Sequence, residues 1–341
     1  MDLFALTRAL IDLDSTTGYE KPVVDFLATY LGELAARHNG CLERMAAAPG
    51  RDNLFVRFGD PVATLSTHMD TVPPYFPSAE DPHYIYGRGA CDAKGILAAM
   101  VHAAESLCAS GLSNFGLLFV VGEERDSVGA EAAAASPRGS RFLINGEPTE
   151  NRLALGSKGA LRYELVARGK LAHSAYPELG HSAIHSLLDT LAAVRALPLP
   201  MDELLGHATL NVGTIRGGRA PNVLADEANA EIMFRVVSDP EPLRAAVARA
   251  AAANDVEARE VLFTPALHLS AINGLSKTVV AFTTDIPAFQ GAWGEPFLIG
   301  PGSIHVAHSA EESIAKKELT EAVDIYAWMV RQLLNAGVTV S

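Results

Sequence analysis

The feature that most constrains this chain is an alternation in its first half: short apolar runs that end in polar residues, separated by stretches of helical texture. Residues 62–67, 115–121 and 142–144 read as buried strands, and residues 95–110, with good helix formers and apolar side chains on most faces, read as a helix. This βαβα order predicts an α/β fold with a mostly parallel sheet covered by helices on both faces. In such sheets the ligand site lies beyond the carboxyl ends of the strands. His68 follows the first run, Glu123 and Glu124 the second, and Glu147 the third. Polar residues therefore gather where this topology puts a site.

After Lys158-Gly159 the texture changes. Residues 161–166 alternate like a half-buried strand, residues 181–197 are helical, residues 208–215 and 228–237 are strand-like, residues 240–253 are helical and residues 256–263 are strand-like. That βαββαβ order is the split ferredoxin-like unit. The expected organisation is a main domain from residues 1–158 and 266–341 with an inserted domain at 159–265. The main domain resumes with a helix near Ser276, a strand at 296–299, the turn Gly300-Pro301-Gly302 and a closing helix at 319–334. No internal repeat is evident.

Composition excludes several classes. A formal charge of −13 without any basic run argues against a nucleic-acid partner. Apolar stretches are broken well before the roughly 20 residues a bilayer crossing needs, so no membrane span is expected. The opening residues carry Asp2, Asp12 and Asp14 and no basic segment before a continuous apolar run, which does not read as a secretory signal and makes the cytoplasm the expected location. Cys41, Cys91 and Cys108 form neither a disulfide framework nor a CxxC knuckle.

Five segments carry chemistry: Thr67-His68-Met69-Asp70, the Gly87-Arg88-Gly89 run through Asp92-Ala93-Lys94-Gly95, Gly122-Glu123-Glu124, Gly146-Glu147-Pro148 and Ala307-His308-Ser309. Carboxylates at successive strand or loop ends on one rim repel each other unless a countercharge is supplied, and divalent cations supply it. Imidazole with carboxylate suits zinc, with manganese or cobalt admitted by the same donor logic. Two histidines and three acids are enough for two metals sharing one carboxylate. Asp70, two residues beyond His68, is placed to fix that imidazole's orientation.

These segments resemble, as a set and in order, the co-catalytic zinc hydrolases that include acetylornithine deacetylase, succinyl-diaminopimelate desuccinylase, the aminoacylases and glutamate carboxypeptidase. The matching pieces are HxD, GRGxxDxKG, GEE, GEP and GPG with AHxxxE, and they span nearly the whole chain. The resemblance implies a zinc-exopeptidase-like fold with a dimerisation (lid) insert. It implies that His68 and Glu147 bind one metal, Glu124 and His308 the other, that Asp92 bridges, and that Glu123 is the general base. By the same resemblance His173, in Ala172-His173-Ser174, serves the partner subunit's active site in a homodimer. Asn222 and Arg235 correspond to substrate contacts, although Phe234-Arg235-Val236 departs from the Asp-Ile-Arg run of the family. Gly300 and Gly302 flank a turn whose N–H groups offer themselves to a carboxylate.

The expected activity is hydrolysis of an amide bond in an N-acyl amino acid, most like deacetylation of N-acetylornithine in amino-acid biosynthesis. A carboxypeptidase or dipeptidase acting on short peptides needs the same metal centre. A silent relative that binds amino-acid conjugates without cleaving them is the reading from another class, and a base beside a metal ligand is of no use to it. His181 and His185, i and i+4 on a helix, lack an acidic partner motif. His305 stands three residues before His308, and Cys91 reads as packing. Arg88 and Lys94 read as holding the Asp92 loop, and Lys158-Gly159 as a hinge.

Overall fold

The computed structural model describes residues 1–335 and resolves into two compact units. The first comprises Met1–Leu155, Leu269–Thr278 and the chain from Thr284 onward; the second comprises Gly156–His268 and Val279–Thr283.

In the first unit the strands lie in the order Cys41–Ala48, Arg51–Phe58, Phe115–Val120, Ala63–His68, Phe142–Asn145, Glu295–Leu298, Leu153–Ser157. The middle four are parallel, with His68 opposite Val120 and Ser66 opposite Asn145. Their flanks are antiparallel. The three strands Ala63–His68, Phe115–Val120 and Phe142–Asn145 have no exposed residue, as strands covered on both faces require.

Successive side chains of a strand point to opposite faces, and the two faces have separate cores. Leu117 and Phe119 pack with the helices Leu3–Ile11, Lys21–Arg37, Gly95–Ala109 and Lys316–Asn335. Leu118 and Val120 pack with Ala130 and Ala133 of the helix Val128–Ala134 and with Phe289 and Trp293. Trp293 donates its indole N–H to the Ala133 carbonyl at 2.8 Å, so the largest buried side chain leaves no unpaired donor.

Two features depart from the sequence reading. The chain near Ser276 is the strand Lys277–Val280 and not a helix. Thr278, Val279 and Val280 are β-branched and stiff at χ1, which favours the strand. The helices Leu3–Ile11 and Lys21–Arg37 and the hairpin of Cys41–Ala48 with Arg51–Phe58 precede the first element read from sequence.

The second unit runs Gly159–Arg168, helix Ala183–Arg195, Thr209–Gly217, Glu227–Val236, helix Glu241–Ala252, Val256–Thr264. Its four main strands are antiparallel, in the spatial order Thr209–Gly217, Glu227–Val236, Gly159–Arg168, Val256–Thr264. Leu161, Leu165, Leu187, Ile232, Phe234 and Val247 give this unit its own core. No described helix is long and apolar enough to cross a membrane.

Candidate metal centre

His68 ends its strand with 1% of its surface exposed. Its Nδ1 lies 2.9 Å from the Asp70 carbonyl oxygen, and its Nε2 lies 3.0 Å from Asp92 Oδ1. A ring whose Nδ1 donates to a carbonyl keeps Nε2 as its outward atom. Asp92 Oδ2 is 3.3 Å from His308 Nε2, which in turn sits 3.0 Å from Glu124 Oε2. Asp92 therefore stands between the two imidazoles. Among the described residues, His68, Asp92 and Glu124 each offer a donor atom within 4.8 Å of one another. Glu147, 4% exposed, follows the Phe142–Asn145 strand, and its Oε1 is buried with no hydrogen-bond partner among the described residues.

The turn that presents Glu123 and Glu124 is held by Asp70. Asp70 Oδ1 accepts the N–H groups of Gly122 (3.0 Å) and Glu123 (3.1 Å), while Oδ2 accepts those of Glu124 (3.3 Å) and the Thr17 hydroxyl (2.8 Å). Its carboxylate is thus turned mainly to this loop, and Oδ1 stands 3.6 Å from His68 Nδ1. The nearer partner of the imidazole is the Asp70 main-chain carbonyl. Gly122 makes the turn possible: its φ is +85°, and a Cβ there would meet Asp126 Oδ1 at 2.6 Å.

Electrostatics follow from burial. The Glu123 carboxyl is raised well above the usual range by burial and then by the charge of Glu147. Glu147 is raised likewise, by burial first and then despite His68. Burial also raises Glu124, reinforced by Asp92. For Asp92 the hydrogen bonds to His308 and His68 outweigh a large opposing burial effect, and its pKa is lowered. His308 is raised to about 10 by its contacts with Asp92 and Glu124. A crowd of acids that burial pushes toward neutrality, with one orphaned oxygen among them, fits a site for divalent cations.

Other residues singled out from sequence have different surroundings. The Gly300 N–H donates to Thr149 Oγ1 at 3.0 Å and the Gly302 N–H to Glu318 Oε2 at 2.7 Å. Both donors are engaged within the fold, which leaves neither free for an incoming carboxylate. In the second unit, His173 and Asn222 are exposed, and Asn222 accepts the Ser174 N–H at 3.0 Å. Arg235 is half-buried on the Glu227–Val236 strand, and no carboxylate pairs with it among the described residues. His181 shares a hydrogen bond with Ser186 at 2.8 Å. Lys94 donates to the Leu13 carbonyl at 2.6 Å. The Cys91 thiol is pushed well above its usual range by burial and then by Glu312, so it is no thiolate nucleophile.

Sequence reasoning missed two buried acids. Glu312, 1% exposed, pairs with Arg88 Nη1 at 2.6 Å; its signal was the last letter of AHxxxE. Asp285, also 1% exposed, has neither carboxylate oxygen hydrogen-bonded among the described residues and is raised to about 7, mainly by burial. Nothing in Thr283-Thr284-Asp285-Ile286 marks it in the sequence.

A parallel sheet that presents imidazoles and carboxylates together at one edge defines a metal-dependent hydrolase. The chain belongs to peptidase family M20/M25/M40, whose model matches residues 64–332. It is 38% identical to a peptidase M20 domain-containing protein of Schizosaccharomyces pombe over 338 residues, covering 96% of this chain and 84% of that protein. It is 34% identical to a probable carboxypeptidase of Aspergillus clavatus, covering 98% of this chain and 83% of that protein. Two solved structures share the fold: aminopeptidase PepT of Bacillus cereus (TM-score 0.81, 19% identity, 98% of both chains) and an M20 family metallo-carboxypeptidase of Sulfolobus solfataricus (TM-score 0.75, 17% identity, 98% of this chain and 99% of that one).

Proposed function

We propose that this protein is a carboxypeptidase-type amide hydrolase: it cleaves the amide bond next to a free carboxylate in a short peptide. The observation that carries this reading is the convergence of His68, Asp92, Glu124 and His308, with Glu147 buried alongside. The choice of peptide is supported by the relatives, matched over nearly the whole of this chain, that bear the name probable carboxypeptidase. Deacylation of an N-acyl amino acid is the second reading, because an acyl amide next to a carboxylate presents the same reacting groups.

His68 and Glu147 would hold one divalent ion, Glu124 and His308 the other, and Asp92 both; zinc is the first choice, with cobalt or manganese next. Bound there, the ions polarise the scissile carbonyl and make water acidic enough to be deprotonated near neutral pH. Glu123, beside a ligand but outside the contacts among them, takes the proton of the attacking water and delivers it to the leaving nitrogen. Asp70 orients, through its carbonyl to His68 and its carboxylate to the Gly122-Glu123-Glu124 turn. Arg235, with no carboxylate partner among the described residues, is the proposed partner of the substrate carboxylate, and Asn222 is proposed as a separate substrate contact. His173 acting across a homodimer formed through the second unit completes the proposal, and cytoplasmic action goes with it.

A panel of short peptides, their C-terminal amides, and acetylated and succinylated amino acids tests the reading. Peptides with a free C-terminus are turned over and their amides are not. Turnover of the acylated amino acids alone would transfer the protein to the deacylases, and equal turnover of peptides and their amides would remove the carboxylate requirement.

Metal uptake is also expected to depend on pH. With its pKa raised to about 10, His308 in the metal-free protein keeps its proton at neutral pH, and a metal must displace it. Its ion pairs contribute to stability in full below the ordinary pKa of 6.5 and are lost as pH rises through about 10. Zinc affinity therefore climbs across that window, by up to about tenfold per pH unit for each proton displaced. Isothermal titration in buffers of different ionisation enthalpy reads the released protons; affinity that is flat in pH, with no proton released, would contradict the state assigned to His308.

A further inference from the structure

Glu312 stands four residues after His308, at the entry to the short strand Ser313–Ala315. Its carboxylate has both oxygens engaged in the interior. Oε2 receives Arg88 Nη1 at 2.6 Å, and Oε1 receives the main-chain N–H groups of Gly89 at 3.0 Å and Asp92 at 3.2 Å, with Cys91 Sγ at 3.7 Å. Its own carbonyl accepts the Gly87 N–H at 3.1 Å. One residue thus clasps residues 87–92 through side chain and main chain together. The segment it belongs to also carries His308.

We infer that Glu312 is the positioning residue that sets Asp92 against His308. The inference rests on the reading of both as metal ligands. Asp92 Oδ2 and His308 Nε2 are 3.3 Å apart, yet they come from segments more than 200 residues apart in the chain, and His308 is half exposed on a backbone with φ of +61°. The turn before it is held by Val306 and Ala307 against the core and by the Ser309 hydroxyl on the Val306 carbonyl, and the chain after it is held by Glu312. Four residues on, that chain is fixed to the Asp92 loop by a buried carboxylate. Movement of either segment alone would break the clasp.

The chemistry of the clasp requires glutamate. Its acceptor oxygens face two main-chain donors and a guanidinium, and a glutamine of the same shape supplies one acceptor and one donor. Whichever way that amide is turned, its N–H groups meet either Arg88 or the Gly89 and Asp92 N–H groups. Arg88, 2% exposed, would keep a buried charge without its counterion.

The test is zinc binding to the metal-free full chain, by competition with a chromophoric chelator, for wild type and Glu312→Gln, with denaturant unfolding of each metal-free form alongside. Wild type takes up two ions. The variant holds at least one of them about 10–100-fold more weakly, as expected when a partner that orients a ligand is removed. Should the variant fail to fold, Arg88→Met/Glu312→Gln, which removes the stranded cation, takes its place with the same expectation. Wild-type affinity for both ions in the folded variant, whatever its unfolding midpoint, would reduce Glu312 to a structural brace and overturn the inference alone. Fewer than two ions bound by wild type would overturn the two-metal reading and this inference with it.

Discussion

Glu123→Gln lowers kcat by about 10²–10⁴-fold, the usual contribution of a positioned general base, while the protein still takes up two metal ions. The amide keeps the size and reach of the side chain but cannot accept the water proton. The contacts among His68, Asp92, Glu124 and His308 do not involve Glu123, so the ligand set survives the change. A second consequence separates this role from a structural one. Burial, then the Glu147 charge, raise the Glu123 pKa well above 4.5. An acid whose folded pKa is raised opposes folding increasingly as pH climbs past its unfolded value. In the metal-free protein at neutral pH the glutamine variant is therefore at least as stable as wild type, although nearly inactive. Atomic spectrometry, steady-state kinetics and denaturant midpoints read the three quantities. Turnover at the wild-type level would remove Glu123 from the reaction, and loss of both metals would make it a ligand instead.

Much of this site could be read before any coordinates, for a physical reason. An open α/β sheet collects the ends of its parallel strands at one edge, so His68, the Glu123-Glu124 pair and Glu147, each placed just after an apolar run, had to come together if the runs were strands. The βαββαβ order of the second unit was legible in the same way, since alternation and helical periods are local properties. Hydrogen-bond choices are not local. Asp70 lies close enough to His68 in sequence to suggest a carboxylate–imidazole contact, but three N–H groups of the Gly122-Glu123-Glu124 turn compete for that carboxylate, and the main-chain carbonyl is nearer the ring. Gly300 and Gly302 look like free donors until Thr149 and Glu318 are brought to them from 151 and 16 residues away. Glu312 and Asp285 are acids in ordinary local settings, and only the tertiary fold buries them. The strand Lys277–Val280 yields to the same logic, because four residues are too few for periodicity to separate strand from helix.

Asp70→Ala is expected to cost about 3–5 kcal/mol of stability in the metal-free protein, the range found when one partner of a buried charged network is removed. Asp70 has no exposed surface, and its loss leaves the Gly122, Glu123 and Glu124 N–H groups and the Thr17 hydroxyl without their acceptor. Asp70→Asn keeps one acceptor oxygen and loses less, yet its amide nitrogen must face donors on one side. The pH dependence fixes the cause. Burial alone would raise the Asp70 pKa, but the His68 imidazole, then the Thr17 hydroxyl and the Glu124 N–H, outweigh it and hold the carboxyl below its ordinary 3.8. A depressed acid stabilises the fold above its unfolded pKa and loses that contribution as pH falls through the folded value. The gap between wild type and Asp70→Ala, followed by denaturant unfolding, therefore stays full from neutral pH down to about 4 and narrows only in stronger acid. Activity falls with it, because the same three N–H groups place the base and a ligand on one turn. A gap that is full in acid and narrows as pH rises above neutrality would assign the stabilisation to a protonated His68, whose pKa is raised, instead.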